Sequence, residues 1–237
     1  MPDNEEPREY FRFAFYRFAE SWRALDQSVH SRALYELGGV LAAPVAPWQL
    51  CYSLVGLRAD ADFAVWLKTT EGTEPLQEFE RRIRSTEAGR HLILTHNFIS
   101  MTKPSPYARG VSDAEREALR AYPDGAPYVF VYPMVKTRAW YALTPEERGQ
   151  IMRGHIAVGH KYPKIRINTS YSYGLDDQEF IVAFEGDDPA QFLDLVQELR
   201  YTEASSYTER DTPMFTCVLR SPSALVEEFR TASVALR

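Results

Sequence analysis

The same order of periodicities occurs twice along this chain, and that repeat limits the possible folds more than any other feature. In the first half, residues 10–18 (YFRFAFYRF) alternate aromatic with polar or small side chains, the two-residue period of a strand. Residues 20–40 carry Trp22, Leu25, Val29, Ala33 and Leu37 at helical spacing, and Gly38-Gly39 predicts the stop of that helix. Strand patterns follow over 49–57 and 62–69, then an amphipathic helix over 74–88, then the strand LILTHNFISM. The second half gives strand 127–134, helix 144–160, strands 164–172 and 178–185, helix 188–200, strand 212–220 and helix 222–235. Each half reads β-α-β-β-α-β, the split βαβ pattern of a ferredoxin-like unit. One such sheet leaves a face without helices, and two in one chain can pack those faces together. The expected class is therefore α+β, with two tandem ferredoxin-like units forming an α+β barrel. The N-terminal unit is expected over 1–101 and the C-terminal unit over 127–237. Between them, residues 102–126 are turn-rich (TKPSPYARG, YPDGAP) and read as a linker or flap.

A chain of 237 residues, 45% hydrophobic, is long enough to bury a sizeable core and still hold a ligand pocket. Its net charge of -6 implies no strongly basic face, which argues against a nucleic-acid partner. Cys51 and Cys217 both sit in apolar runs and read as small buried hydrophobes, with no CxxC or Cys/His spacing for zinc. The segment MPDNEEPREY is acidic and lacks the apolar stretch of a secretory signal. No run approaches the roughly 20 apolar residues of a membrane span. The expectation is a cytoplasmic chain.

Helix 144–160 carries the clearest local signals. Thr144 suits the N-cap, Pro145 the first helical position, and Glu147 completes a capping box. Ile151, Met152, His155, Ile156 and Gly159 fall on one side, so His155 is expected on the buried face, with Gly159 leaving a gap for a flat ligand. A core histidine bonded to a carbonyl satisfies the same pattern. His160 points elsewhere, and His30, His91 and His96 have no pattern around them and read as local structure. In strand 127–134, Tyr128, Phe130, Tyr132 and Met134 share one face and Val129 and Val131 the other. That face is aromatic and oxidisable, though simple packing against a helix accounts for it equally. Lys136 and Arg138 follow the strand, and Trp140-Tyr141 precede the helix cap. In strand 164–172, Ile167 points with the apolar set.

The motifs YPMxK, WYxLxxEER, the helix histidine, GxKY, GLDDxEF, FE, LVxxLRxxEAS and PxF occur in this order between about residues 127 and 220. In that combination the chain resembles the C-terminal half of chlorite-dismutase-like haem proteins. The first half resembles the family only through its element order and the segment GRHL…KPSPY. The resemblance implies two fused ferredoxin-like units, haem or coproheme in the C-terminal unit, and a ring of five chains or sometimes two. It implies that His155 is the proximal iron ligand and Tyr132 the radical-forming tyrosine of the coproheme decarboxylase branch, where chlorite dismutases carry an aliphatic residue. It further implies that Lys136 lies near a reacting propionate, that Arg200 and Ser205 hold propionates, and that Trp140 lines the pocket edge. On the distal side, chlorite dismutases carry an arginine seven residues before the glycine of GLDD. Here that position is Ile167, which cannot donate a hydrogen bond. One branch adds a distal histidine before the YPM strand, and no histidine occurs here between His96 and His155.

The implied function is peroxide-dependent oxidative decarboxylation of iron coproporphyrin III (coproheme) to haem b through a tyrosyl radical. Hydrogen peroxide is the oxidant, the assembly is a homopentamer, and no nucleic acid or membrane is involved. Two alternatives stand beside it. Chlorite dismutase or haem peroxidase activity is the first, and Ile167 and Tyr132 oppose chlorite dismutation. Non-catalytic haem binding on the same fold has no need of Tyr132 with Lys136.

Overall fold

The computed structural model describes residues 7–103 and 125–234. Two compact units are present, one made of Met1–Met101 with Cys217–Arg237 and the other of Thr102–Thr216. The linker or flap expected over 102–126 lies almost wholly outside the described residues.

The first unit runs β1 (Tyr10–Phe18), α1 (Glu20–Arg23), α2 (Gln27–Ala42), β2 (Trp48–Ser53), β3 (Phe63–Thr69), α3 (Glu74–Ser85) and β4 (Leu92–Met101). Its strands pair antiparallel in the order β4-β1-β3-β2. Ala14, Tyr16, Phe63 and Val65 meet Leu34, Leu37, Leu76 and Phe79 from the helices in one core. The alternate side chains Phe11, Phe13 and Phe15 are buried as well, with Phe13 stacked on Trp66 at 4.6 Å between ring centroids. Both faces of β1 are thus buried.

Two sequence expectations change here. The single helix expected over 20–40 is two helices, and Gly38-Gly39 does not stop the second. Helix α2 continues to Ala42 and ends where Ala43, the residue before Pro44, turns extended. Gly38 serves packing instead, since a Cβ there would lie 3.2 Å from Val226 Cγ2. The second change concerns residues 217–234. The expected C-terminal unit, 127–237, includes them. In the structure Cys217–Arg237 belong to the first unit. A strand Phe215–Arg220 pairs with β2, setting Cys51 opposite Arg220. The following helix, Pro222–Val234, sends Leu225, Val226 and Phe229 into the core beside Leu34 and Leu37.

The second unit runs β5 (Tyr128–Lys136), α4 (Arg138–Ala142), α5 (Pro145–Gly159), β6 (Arg166–Tyr171), β7 (Phe180–Gly186), α6 (Pro189–Arg200), α7 (Glu203–Ser206) and β8 (Thr208–Arg210). Its strands pair antiparallel in the order β6-β7-β5-β8. Phe130, Phe184 and Ile167 lie opposite one another across β5, β7 and β6, and Tyr132 is paired with Val182 in the next row but one. Directly opposed residues share a face, so Ile167 shares one with Phe130 and Tyr132. These side chains form a core with Leu195, Leu199 and Val158. The short elements α4, α7 and β8 give no periodic signal in the sequence, and all three border the site. Among the described residues no helix is long and apolar enough to cross a membrane.

Candidate functional site

Helix α5 begins as its sequence dictates. Glu147 N donates to Thr144 Oγ1 at 3.3 Å, and Thr144 N donates to the Glu147 carboxylate at 2.7 Å. This fixes the phase of the helix and so the direction of His155. Ile151, Met152, His155, Ile156 and Gly159 do share a side, but they are half-buried, and no residue of α5 is fully buried. The expected buried face is therefore partly open. The reason is local. Gly159 contributes no side chain on that side, and the apolar residue of the helix that packs against the core of the unit is Val158. Ile167 is the side chain that faces Gly159. A Cβ there would lie 3.5 Å from Ile167 Cδ1, so Ile167 packs against the last turn of the helix that carries His155.

His155 Nδ1 lies 3.2 Å from Thr202 Oγ1, at the turn that follows α6. Burial, and then the nearby Lys136 cation, push its pKa down to about 4. The imidazole is therefore neutral at pH 7, the form that ligates a metal.

Lys136 ends β5 and is buried. Its Nζ donates to Ala204 O at 2.9 Å and to Thr208 Oγ1 at 3.2 Å, and sits 5.1 Å from the centre of the Trp140 ring. An ammonium has three N–H groups, and these two contacts use two of them. Burial pushes its pKa down to about 8, against the pull of Asp211 and Glu179. Glu179 also accepts from Lys136 N at 2.8 Å and from the Tyr141 hydroxyl at 2.5 Å, which raises the Tyr141 pKa in addition to the larger effect of burial. Trp140 lies beside this lysine, 4% exposed and 5.4 Å from the Tyr207 ring, and forms a wall of the Lys136 site.

Tyr132 is buried, its ring stacked at 5.9 Å on Phe184. Burial raises its phenol pKa, Asp211 raises it further, and Arg200 opposes both. The tyrosine is thus protonated throughout the physiological range. Arg200, the last residue of α6, is ion-paired with Asp211. Its guanidinium has five donors and remains 44% exposed, so it retains N–H groups beyond that pair. Ser205 is half-buried on α7, where its N–H donates to Thr202 O.

The sequence-derived residues therefore gather around one another. Lys136 acts electrostatically on His155, and Arg200 acts on Tyr132. Sequence reasoning misses two further members. Asp211 sits in the irregular segment before the strand at 215–220, where no period singles it out. Thr202 has the residue type of an ordinary helix cap, which hides its contact with His155.

Among the described residues no three of His, Cys, Asp and Glu form a metal cage. A metal carried by its own macrocycle needs only one axial protein ligand, and His155 is of the right type. Lys136 and Arg200 suit the carboxylates of such a macrocycle, and the half-open apolar face of α5 suits its plane. This donor set fits an iron porphyrin.

The family model for chlorite dismutase matches residues 30–220, most of the chain. This chain belongs to the chlorite dismutase family. A family relative, a coproheme decarboxylase from Mycolicibacterium smegmatis, is 33% identical over 166 residues, 70% of each chain. Among solved structures, a mutant chlorite dismutase from Candidatus Nitrospira defluvii superimposes with a TM-score of 0.84 at 24% identity, covering 93% of this chain and 95% of that one. A haem-binding protein from Thermus thermophilus gives a TM-score of 0.78 at 26% identity, covering 93% and 94%. The dismutase likeness establishes the fold, the α+β class with tandem ferredoxin-like units expected from the repeat.

Proposed function

We propose that this chain binds iron coproporphyrin III and converts two of its propionates to vinyl groups with hydrogen peroxide, giving haem b. The reading rests on the gathering of His155, Lys136, Arg200 and Tyr132 in a chain that is 33% identical to a coproheme decarboxylase over 70% of its length. For each propionate, one peroxide and one proton are consumed, and one vinyl group, one carbon dioxide and two waters are formed. The iron porphyrin is the substrate and also supplies the redox centre that passes the oxidising equivalents of peroxide to the protein.

The chain's own residues then have distinct tasks. His155 ligates the iron through neutral imidazole. The remaining N–H of Lys136 and the free donors of Arg200 orient the propionates, with Ser205 beside them. Tyr132 gives up a proton and an electron to become the radical. It then takes a hydrogen atom from the propionate β-carbon and so regains its phenol. The resulting carbon radical loses carbon dioxide and one electron to leave the vinyl group. Protein positioning does most of this work. Trp140 shields the Lys136 side, and Ile167 presents an apolar surface on the face it shares with Tyr132.

The same reading carries a cytoplasmic ring of five chains. Light scattering that gave a monomer of 27.2 kDa would remove the ring. The activity is tested by titrating the coproheme complex with peroxide and weighing the products. Species lighter by one and then two units of carbon dioxide plus two hydrogens are expected, since loss of carbon dioxide alone would leave ethyl and not vinyl groups. Unaltered or merely bleached coproheme would overturn the proposal and favour simple haem binding.

A further inference from the structure

Thr202 stands at the N-cap position of α7, yet its side chain makes no capping hydrogen bond. Its hydroxyl is used elsewhere. Oγ1 lies 2.7 Å from Leu199 O, a carbonyl that can only accept, so the single hydroxyl proton points there. The same oxygen lies 3.2 Å from His155 Nδ1. With its proton committed, Oγ1 meets the ring only as an acceptor, and Nδ1 must bring the hydrogen. A neutral imidazole carries one N–H, so Nε2 is left with the lone pair.

We infer that Thr202 is a positioning residue that holds His155 as the Nδ1–H tautomer and so presents Nε2 as the donor nitrogen. The chain Nδ1–H to Oγ1–H to Leu199 O ends on the last turn of α6, whose backbone is anchored by its own helix. Leu199 O also accepts the Thr202 N–H at 3.1 Å, which fixes the threonine from a second direction. The acceptor is a neutral hydroxyl, and a neutral acceptor withdraws a proton less strongly than a carboxylate. His155 is accordingly oriented without acquiring imidazolate character, and its push on a bound metal is weaker than a carboxylate partner would give. This deepens the reading of His155 as axial ligand and rests on it for the metal's share of the consequence. The tautomer itself does not depend on that reading.

The test uses the full chain in two states. In the porphyrin-free protein, nitrogen-15 NMR of the ring nitrogens reads the tautomer, and the chain has only five histidines to assign. Wild type and Thr202→Ser are expected to show protonated Nδ1 and unprotonated Nε2 at His155. Thr202→Val, of nearly the same shape, is expected to lose the single tautomer. A wild-type His155 protonated at Nε2, or a Thr202→Val spectrum identical to wild type, would overturn the inference. In the ferrous haem complex, the iron–histidine stretching band is expected to move in Thr202→Val and return in Thr202→Ser. An Nδ1–H tautomer in the free protein without any iron–histidine band in the complex would leave the Thr202 assignment standing and remove His155 as the ligand.

Discussion

Arg200 and Asp211 form an ion pair beside Tyr132, and the two charges move the tyrosine's pKa in opposite directions. The same carboxylate supports the charge of Lys136. Asp211 therefore touches the electrostatics of three residues at once.

That arrangement predicts a pH dependence. Lys136 has its pKa lowered to about 8, so its cation is present below that pH and lost above it. Affinity for a carboxylate-bearing porphyrin should fall as pH rises through about 8, by no more than about tenfold per pH unit for one proton. Asp211→Asn removes a carboxylate that favours the cation, so the fall should begin at lower pH. Stability follows the opposite trend. Between the folded value near 8 and the unfolded value of 10.5 the unfolded lysine holds more protons, so the Lys136 contribution to stability rises with pH across that window. A spectroscopic binding titration from pH 6 to 10 checks the affinity, and a flat wild-type curve would refute the assignment.

Tyr132→Phe should bind coproheme and fail to decarboxylate it. The ring packs on Phe184 in either variant, and loss of one hydroxyl should cost about 1 kcal/mol at most. A phenyl ring cannot surrender a proton and an electron as a phenol does. Mass spectrometry after peroxide titration should show intact or bleached porphyrin. A normal yield of haem b would assign the radical to another residue.

Chlorite should give negligible oxygen. Ile167 is an aliphatic side chain packed against Gly159 and has no hydrogen to offer a bound oxyanion. Sustained oxygen release at an electrode would contradict the role drawn for this position.

Thr144→Ala should destabilise the protein by about 1 kcal/mol, the usual cost of losing an N-cap. The substitution removes the side-chain acceptor of Glu147 N and leaves in place the backbone N–H of residue 144 that donates to the Glu147 carboxylate. Thr144→Ser should recover most of the loss, as read by the midpoint of urea unfolding. The alanine variant should also loosen the start of the helix that carries His155, which amide exchange over residues 145–150 would detect.

What the sequence reveals, and what it does not, divides along physical lines. His155 can be found because a helix repeats every 3.6 residues and Thr144 fixes where that repeat begins. The face shared by Phe130, Tyr132 and Met134 follows from strand alternation, and all three side chains do meet in one core. Thr202 and Asp211 stay hidden because their roles come from contacts between distant segments. Thr202 lies 47 positions from His155, and no period links them. Periodicity likewise identifies the strand and helix near 215–235 as elements but not their partners, which β2 and α2 supply. Gly38-Gly39 misleads for a related reason, since a glycine lets a neighbouring helix approach closely as readily as it ends its own.

The pairing of β2 with the strand at 215–220 bears on how this protein is made. Ser53, at the end of β2, donates to Glu228, 175 positions further along the chain. A ribosome will have exposed every other strand of the first unit long before that partner emerges. Closing so long a loop is entropically costly and slow, and until it closes the edge of β2 away from β3 lacks the partner it has in the finished sheet. Such an edge is a template for another chain. Nascent molecules should therefore depend on chaperones, or on sparse synthesis, during the interval between making Ser53 and making Glu228.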